Sequence, residues 1–333
     1  MSSLRISLPS KGALDKDTRQ FLGAAGLKVS RPNERQYVGS IPAAGNVSVL
    51  FQRAADIFTK VAEGSADLGV TGYDVVSENG RDYDDVVVIC DRLGYGGCEL
   101  VLAVPDSWID VTSSQDLADL TLVFKEKGRD LRIATKYPNL TRKWFYQKRI
   151  VNFSLVEAHG ALEAAPSMGY ADAIVDVTST GTTLRENRLK RLTDGTILQS
   201  EACLIGNKRE LKGSKEKLAT TKIMLELIEA QVAAKNYLSL TANVRGKSPE
   251  EIADRLMKNL ELAGMRGPTV AKVYSQEGDD WYAATIVVPK KMLVGAVEHL
   301  RQVGGRDITG FAPNYIFGDR SFIYEDLKAK LDL

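Results

Sequence analysis

Along the first two hundred residues, short apolar runs alternate with segments whose apolar positions recur every three or four residues. The runs Leu4–Leu8, Val47–Phe51, Asp67–Thr71, Val86–Cys90, Glu99–Val104, Leu131–Thr135, Phe153–Glu157, Ala173–Val177 and Thr196–Ile205 read as strands. The segments Asp15–Ala25, Ala54–Glu63, Leu140–Lys148 and Leu184–Leu189 read as helices. Strand–helix alternation of this kind predicts parallel α/β architecture. Two stretches break the rhythm: Gly94-Tyr95-Gly96-Gly97, and the polar, irregular segment Asp106–Arg129.

From Ser214 to Asn236 an apolar stripe (Leu218, Ile223, Met224, Leu227, Ile228, Val232) predicts one long connecting helix. Beyond it the order becomes β-α-β-β-α-β: Tyr237–Val244, Pro249–Ala263, Thr269–Tyr274, Trp281–Val288, Leu293–Val303, Ile308–Phe317. That order is the ferredoxin-like split βαβ pattern, and small amino-acid-sensing modules of the ACT type look like it. A charged helix, Tyr324–Leu331, closes the chain.

At 333 residues two or three domains are expected. Forty-four basic and 43 acidic side chains leave a net charge of +1. No long-range field attracts nucleic acid or an anionic membrane, so anionic ligands must be gripped locally. No run is apolar for long enough to span a bilayer. The N-terminus enters a strand directly, and three scattered cysteines read as reduced thiols; both suit a cytoplasmic protein. Two histidines give little scope for zinc chemistry.

The chemistry concentrates between Glu163 and Leu184, where the apolar strand Ala173–Val177 runs into Thr178-Ser179-Thr180-Gly181-Thr182-Thr183 and then a helix. A strand–loop–helix directs backbone N–H groups and the positive helix end at one point, and hydroxyls add donors without bulk. Without a lysine it is no nucleotide-hydrolase P-loop. Asp176 beside a bound phosphate suits ribose hydroxyls or a Mg²⁺-held pyrophosphate. Taken alone, the segment equally reads as a well-capped helix after a core strand.

The run Glu163 to Leu184, with its glutamate, glycine, Ile174-Val175-Asp176-Val177 strand and Thr180-Gly181-Thr182-Thr183-Leu184, resembles the signature of ATP phosphoribosyltransferases. Leu8-Pro9-Ser10-Lys11-Gly12, Ala66-Asp67-Leu68-Gly69-Val70-Thr71-Gly72, Gly96-Gly97-Cys98-Glu99-Leu100, Arg132–Pro138 and Glu201–Ile205 resemble the same family in the same order. With the ACT-like tail, the whole resembles the family's long form. The resemblance implies a two-lobed core like a type II periplasmic binding protein. Lobe I would take 1–105 and 191–213, lobe II 106–190, a connector 214–236 and a regulatory domain 237–333.

It further implies that adenine N1 attacks the anomeric carbon of phosphoribosyl pyrophosphate while Mg²⁺-bound pyrophosphate leaves, the first step of histidine synthesis. Asp176 and Lys11 would be catalytic. Glu163, Asp176, Thr178, Ser179, Thr180, Gly181, Thr182 and Thr183 would hold phosphoribosyl pyrophosphate. Lys11, Gly12, Arg53, Asp67, Thr71, Gly72, Gly97 and Glu99 would hold ATP. Lys11 also reads as a solvated lysine, and Asp67 as a turn cap. Glu157 and Glu163 flank His159-Gly160, and His159 reads more as a loop or core histidine than a catalyst.

Histidine would inhibit through Thr241, Asn243, Met265, Gly267 and Thr269, in a homo-hexamer or homo-dimer needing no separate regulatory subunit. An acid expected near Thr241–Asn243 is missing from the local sequence. The competing reading is a solute-binding module of the same two-lobed fold without catalysis.

Overall fold

The computed structural model describes residues 3–33, 35–80, 83–157, 161–274 and 280–333. The chain divides into two compact units: 1–21, 29–220 and 326–333 form one, and 22–28 with 221–325 the other.

The first unit holds two sheets. One runs β2 (Val38–Ser40), β3 (Val47–Gln52), β1 (Leu4–Pro9), β4 (Leu68–Gly72), β11 (Ala202–Asn207), β5 (Val86–Cys90). Its β3, β1 and β4 are parallel. Around it lie α1 (Gly12–Ala24), α2 (Ala54–Ala62) and α3 (Tyr73–Asn79). The other sheet runs β10 (Leu189–Ser200), β6 (Cys98–Pro105), β9 (Ala173–Thr178), β7 (Leu131–Thr135), β8 (Phe153–Glu157). With it go α4 (Ser114–Glu126), α5 (Pro138–Gln147) and the short α6 (Thr182–Glu186). The chain crosses between the lobes twice, after β5 and between β10 and β11.

This corrects the lobe boundaries drawn from sequence. The stretch 98–105 belongs to the second lobe, because β6 pairs with β9 and β10. Residues 191–200 belong there too, and the run read as one strand, Thr196–Ile205, is two strands in two sheets. The cause is long-range pairing that local pattern does not encode. In β6 alternate residues feed different cores, Leu100, Leu102 and Val104 one, Val101 and Ala103 the other. Burial on both faces makes its sequence continuously apolar.

The irregular segment 106–129 contains α4, thirteen residues started by a capping box in which Ser113 and Asp116 satisfy each other's backbone N–H. Leu117, Thr121 and Phe124 give it a buried face.

The second unit has β12 (Tyr237–Arg245), α9 (Pro249–Met257), β13 (Thr269–Lys272), β14 (Trp281–Pro289), α10 (Leu293–Gln302) and β15 (Arg306–Phe311). Its sheet order, β13-β14-β12-β15, is wholly antiparallel, as the ferredoxin-like pattern requires. Leu240, Ala242 and Val244 alternate inward onto Ile252 and Leu256 of α9 and Ala296 and Leu300 of α10. The regulatory domain drawn over 237–333 is corrected at both ends. Residues 326–333 go with the first unit, and the connecting helix α8 (Lys215–Ala234) is shared, its part from Thr221 joining the second. Within the first unit Lys330 Nζ bonds Val88 O at 2.9 Å and Lys212 pairs with Asp332 at 3.0 Å.

Candidate active site

The hydroxyl loop opens at the end of β9. Thr178 Oγ1 accepts the Gly181 N–H at 2.9 Å, closing a tight turn in which Gly181 is left-handed at φ 71°. A side chain is disfavoured there. Thr180 and Thr182 hydroxyls lie 3.0 Å apart, and Arg185 donates to Thr182 Oγ1 at 3.2 Å. Ser179, Thr180, Thr182 and Thr183 are exposed. Thr178 therefore shapes the loop, while the other hydroxyls face solvent, those of Thr180 and Thr182 bonded to each other. Arg185 is a loop cation that sequence reading missed, although its position one turn into the helix was visible.

Asp176 stands one residue pair before that turn. Burial pushes its carboxyl above the ordinary range; the Val177 N–H and Lys136 oppose this, and Glu163 and Asp74 add to it. Its Oδ1 accepts the Val177 N–H at 2.8 Å. The structure thus brings Glu163, Lys136 and Asp74 within electrostatic reach of Asp176. Asp74, unforeseen because α3 was unforeseen, accepts Ser200 Oγ at 2.8 Å and Tyr137 Oη at 2.6 Å. Burial, and then Asp74, push the Tyr137 phenol well up. His159 lies outside the described residues.

Cations gather on the other lobe. Lys11 and Arg53 line a cavity of about 580 Å³ with Arg31, Arg35, Tyr37 and Asp56. The Arg31 guanidinium sits 4.0 Å over the Phe51 ring. Arg31 and Arg35 carry no local motif that sequence reading could have used. Gly12, at φ 81°, has open space where a Cβ would stand. Arg53 also lines a cavity of about 950 Å³ with Glu78, Thr135, Lys136, Tyr137, Arg142 and Glu157. A third cavity, of about 600 Å³, joins Gly97 and Glu99 to Ser179 and Tyr73. Glu99 there is paired with Arg191 at 3.0 Å.

Two expected nucleotide contacts are corrected. Asp67 is fully enclosed just before β4, at the opposite end of the strand from Gly72. It takes Arg5 Nη2 at 2.9 Å and Lys217 Nζ at 2.8 Å. Burial raises its carboxyl, but those bonds outweigh it and hold the group below the ordinary range. Thr71 is buried and donates to Ala54 O at 2.7 Å. Both are structural. Gly72 caps α3, and a Cβ there would collide with Asp74 Oδ1.

In the second unit Thr269, Thr285, Thr241 and Thr309 form one row across the four strands. Thr241 and Thr285 hydroxyls are 2.8 Å apart. Asn243 Nδ2 donates to Asp307 Oδ2 at 3.4 Å, which places a carboxylate of β15 beside Asn243. Met265 lines a separate cavity of about 370 Å³ with Glu226, Glu229, Tyr237, Phe317 and Phe322. Gly267 is left-handed, at φ 105°, in the turn before β13.

Fold and site define a two-lobed α/β core, with a hydroxyl-rich loop on one lobe and a cavity lined by cations on the other, followed by a ferredoxin-like unit. Residues 53–229 match the family ATP phosphoribosyltransferase, and residues 234–312 match the HisG C-terminal domain. The chain is 38% identical over 336 residues to ATP phosphoribosyltransferase 2, chloroplastic, of Arabidopsis thaliana, covering 99% of this chain and 81% of that one. It is 35% identical to the ATP phosphoribosyltransferase of Bradyrhizobium sp. (strain ORS 278), covering 98% of each. Among solved structures it is similar to the ATP phosphoribosyl transferase (HisG:HisZ) complex from Thermotoga maritima. There the TM-score is 0.50, the identity 26%, and the match covers 68% of this chain and 98% of that one. The chain belongs to the ATP phosphoribosyltransferase family, in the form that carries the C-terminal domain.

Proposed function

We propose that the cleft of the first unit carries out ATP phosphoribosyl transfer with its two halves divided by substrate. The loop 178–183, with Asp176 and Glu163, takes the 5-phosphate and ribose of phosphoribosyl pyrophosphate. Lys11 and Arg53, with Arg31 and Arg35, take polyphosphate. The observation that carries the reading is the hydroxyl loop with a half-buried carboxylate two residues before it on the second lobe, together with a separate basic cavity on the first. Adenine N1 has a free lone pair, so attack needs no strong base. Alignment and charge stabilisation supply the rate, and departure from an anomeric carbon passes through an oxocarbenium-like state.

Among the described residues no group of three or more His, Cys, Asp or Glu side chains could hold a metal. Mg²⁺ would therefore arrive on the pyrophosphate, with Asp176 as its carboxylate contact, and would neutralise the leaving group. The competing reading, a binder without catalysis, is not favoured, because the family is one of transferases.

The second unit supports histidine inhibition: Asp307 and Asn243 offer an ammonium contact beside the row containing Thr241 and Thr269. Its exposed edge strands β13 and β15 suit pairing in a homo-dimer or homo-hexamer, with no separate regulatory subunit. Three free cysteines and the lack, among the described residues, of a helix able to cross a membrane fit a cytoplasmic place. Calorimetry of phosphoribosyl pyrophosphate against the intact chain and its Asp176→Asn and Lys11→Ala variants tests the division. Only the first variant should lose this ligand; equal loss in both would contradict it.

A further inference from the structure

Two carboxylates of α3 hold the second lobe. Glu78, only 4% exposed, accepts the Asn139 N–H at 2.8 Å and the Leu140 N–H at 2.9 Å, one with each oxygen. Its own carbonyl accepts Asn139 Nδ2 at 3.1 Å. Asp74 takes Tyr137 and Ser200 as described. The first-turn N–H groups of a helix have no partner within it, and α5 has no side-chain cap of its own. It borrows one from the other lobe, at the helix end where negative charge is favoured. Immediately before α5 come Thr135 and Lys136, which line the 950 Å³ cavity with Arg53 and with Glu78 itself.

We propose that Glu78 is a positioning residue for phosphoribosyl transfer. By capping α5 across the cleft it fixes the distance from the first lobe's cations to Asp176 and the hydroxyl loop. The inference rests on the assignment of the cleft to the two substrates. Each lobe can bind its own substrate alone, whereas transfer needs N1 in line with the anomeric carbon. A misplacement of about 1 Å costs roughly a hundredfold in rate. Loss of the cap therefore appears in kcat and not in the affinity of either substrate.

The test uses the full chain. In E78Q an amide nitrogen faces one of the two N–H donors. In N139P the donor is removed from the other side, at a helix position where proline is tolerated. N139A keeps the N–H. Calorimetry of ATP alone and of phosphoribosyl pyrophosphate alone should give affinities within twofold of the unaltered chain for all three. Turnover should fall at least tenfold in E78Q and in N139P, no further in the double variant, and less than twofold in N139A. If E78Q does not fold, N139P against N139A decides. Unchanged turnover, affinities that fall in step with turnover, or losses that multiply in the double variant would overturn the proposal. R53A and K136A separate the two levels. Full activity in both would remove the cleft assignment itself, whereas their loss beside a fully active E78Q would remove only the role of Glu78.

Discussion

Asp176, assigned to the ribose donor in the proposed reaction, carries a cost in stability. Its folded pKa lies above its unfolded value, so between the two the unfolded chain binds fewer protons, and stability falls as pH rises through that window. At neutral pH this half-buried charge is destabilising. Asp176→Asn should raise the melting temperature by a few degrees while lowering kcat about a hundredfold. A melting temperature that fell would show the carboxylate to be a structural partner instead. In the unaltered enzyme activity should decline on acidification from a pH above the ordinary carboxylate range, as Asp176 takes up its proton; a kcat/KM profile reads this directly. Gly181→Val places a β-branched side chain at φ 71°, which costs about 1–2 kcal/mol. The KM for phosphoribosyl pyrophosphate should rise at least tenfold while circular dichroism stays unchanged. An unaltered KM would detach the loop from that substrate.

At the scale of elements, the strands that build the site were legible as apolar runs, and the loop after β9 as hydroxyls around one glycine. Which sheet each strand joins was not. β6 and β10 look like first-lobe strands until their long-range pairing with β9 is seen. Asp67 misled for a related reason. Its neighbours Arg5, Glu210 and Lys217 lie far away in sequence, so its ion pairs were invisible and its motif suggested a ligand contact. The Asp67 cluster ties the starts of β1 and β4 to α7 (Lys208–Lys212) and α8. Removing one member of a buried pair leaves a charge uncompensated. Asp67→Asn should cost about 3 kcal/mol in urea unfolding and leave both substrate KM values within twofold. A stable variant with a raised KM for ATP would restore Asp67 to the nucleotide site. By contrast α4 was legible and overlooked: its Ser113–Asp116 capping box and its Leu117, Thr121, Phe124 spacing are ordinary helix signals.

For the whole molecule, the change of rhythm after residue 236 announced a second unit, and its β-α-β-β-α-β order matched the ferredoxin-like pattern, while the strand order itself appears only in the pairing. Sequence could not show that Asp307 reaches Asn243, because only strand pairing brings β15 beside β12. Histidine at millimolar concentration should lower the initial rate, and Asp307→Ala should weaken that inhibition at least tenfold without changing the uninhibited rate. Inhibition as strong in the variant would move the effector elsewhere. Inhibition also requires histidine to favour one state over another, not merely to bind.

Phosphoribosyl transfer to ATP is read out by the release of pyrophosphate by the purified chain, with the nucleotide product identified by mass. Release should require ATP, phosphoribosyl pyrophosphate and Mg²⁺ together, in step with one phosphoribosyl-ATP per pyrophosphate, and fall about a hundredfold in Asp176→Asn. Pyrophosphate released without ATP, or substrates bound with no product formed, would rule out phosphoribosyl transfer to ATP as this chain's reaction.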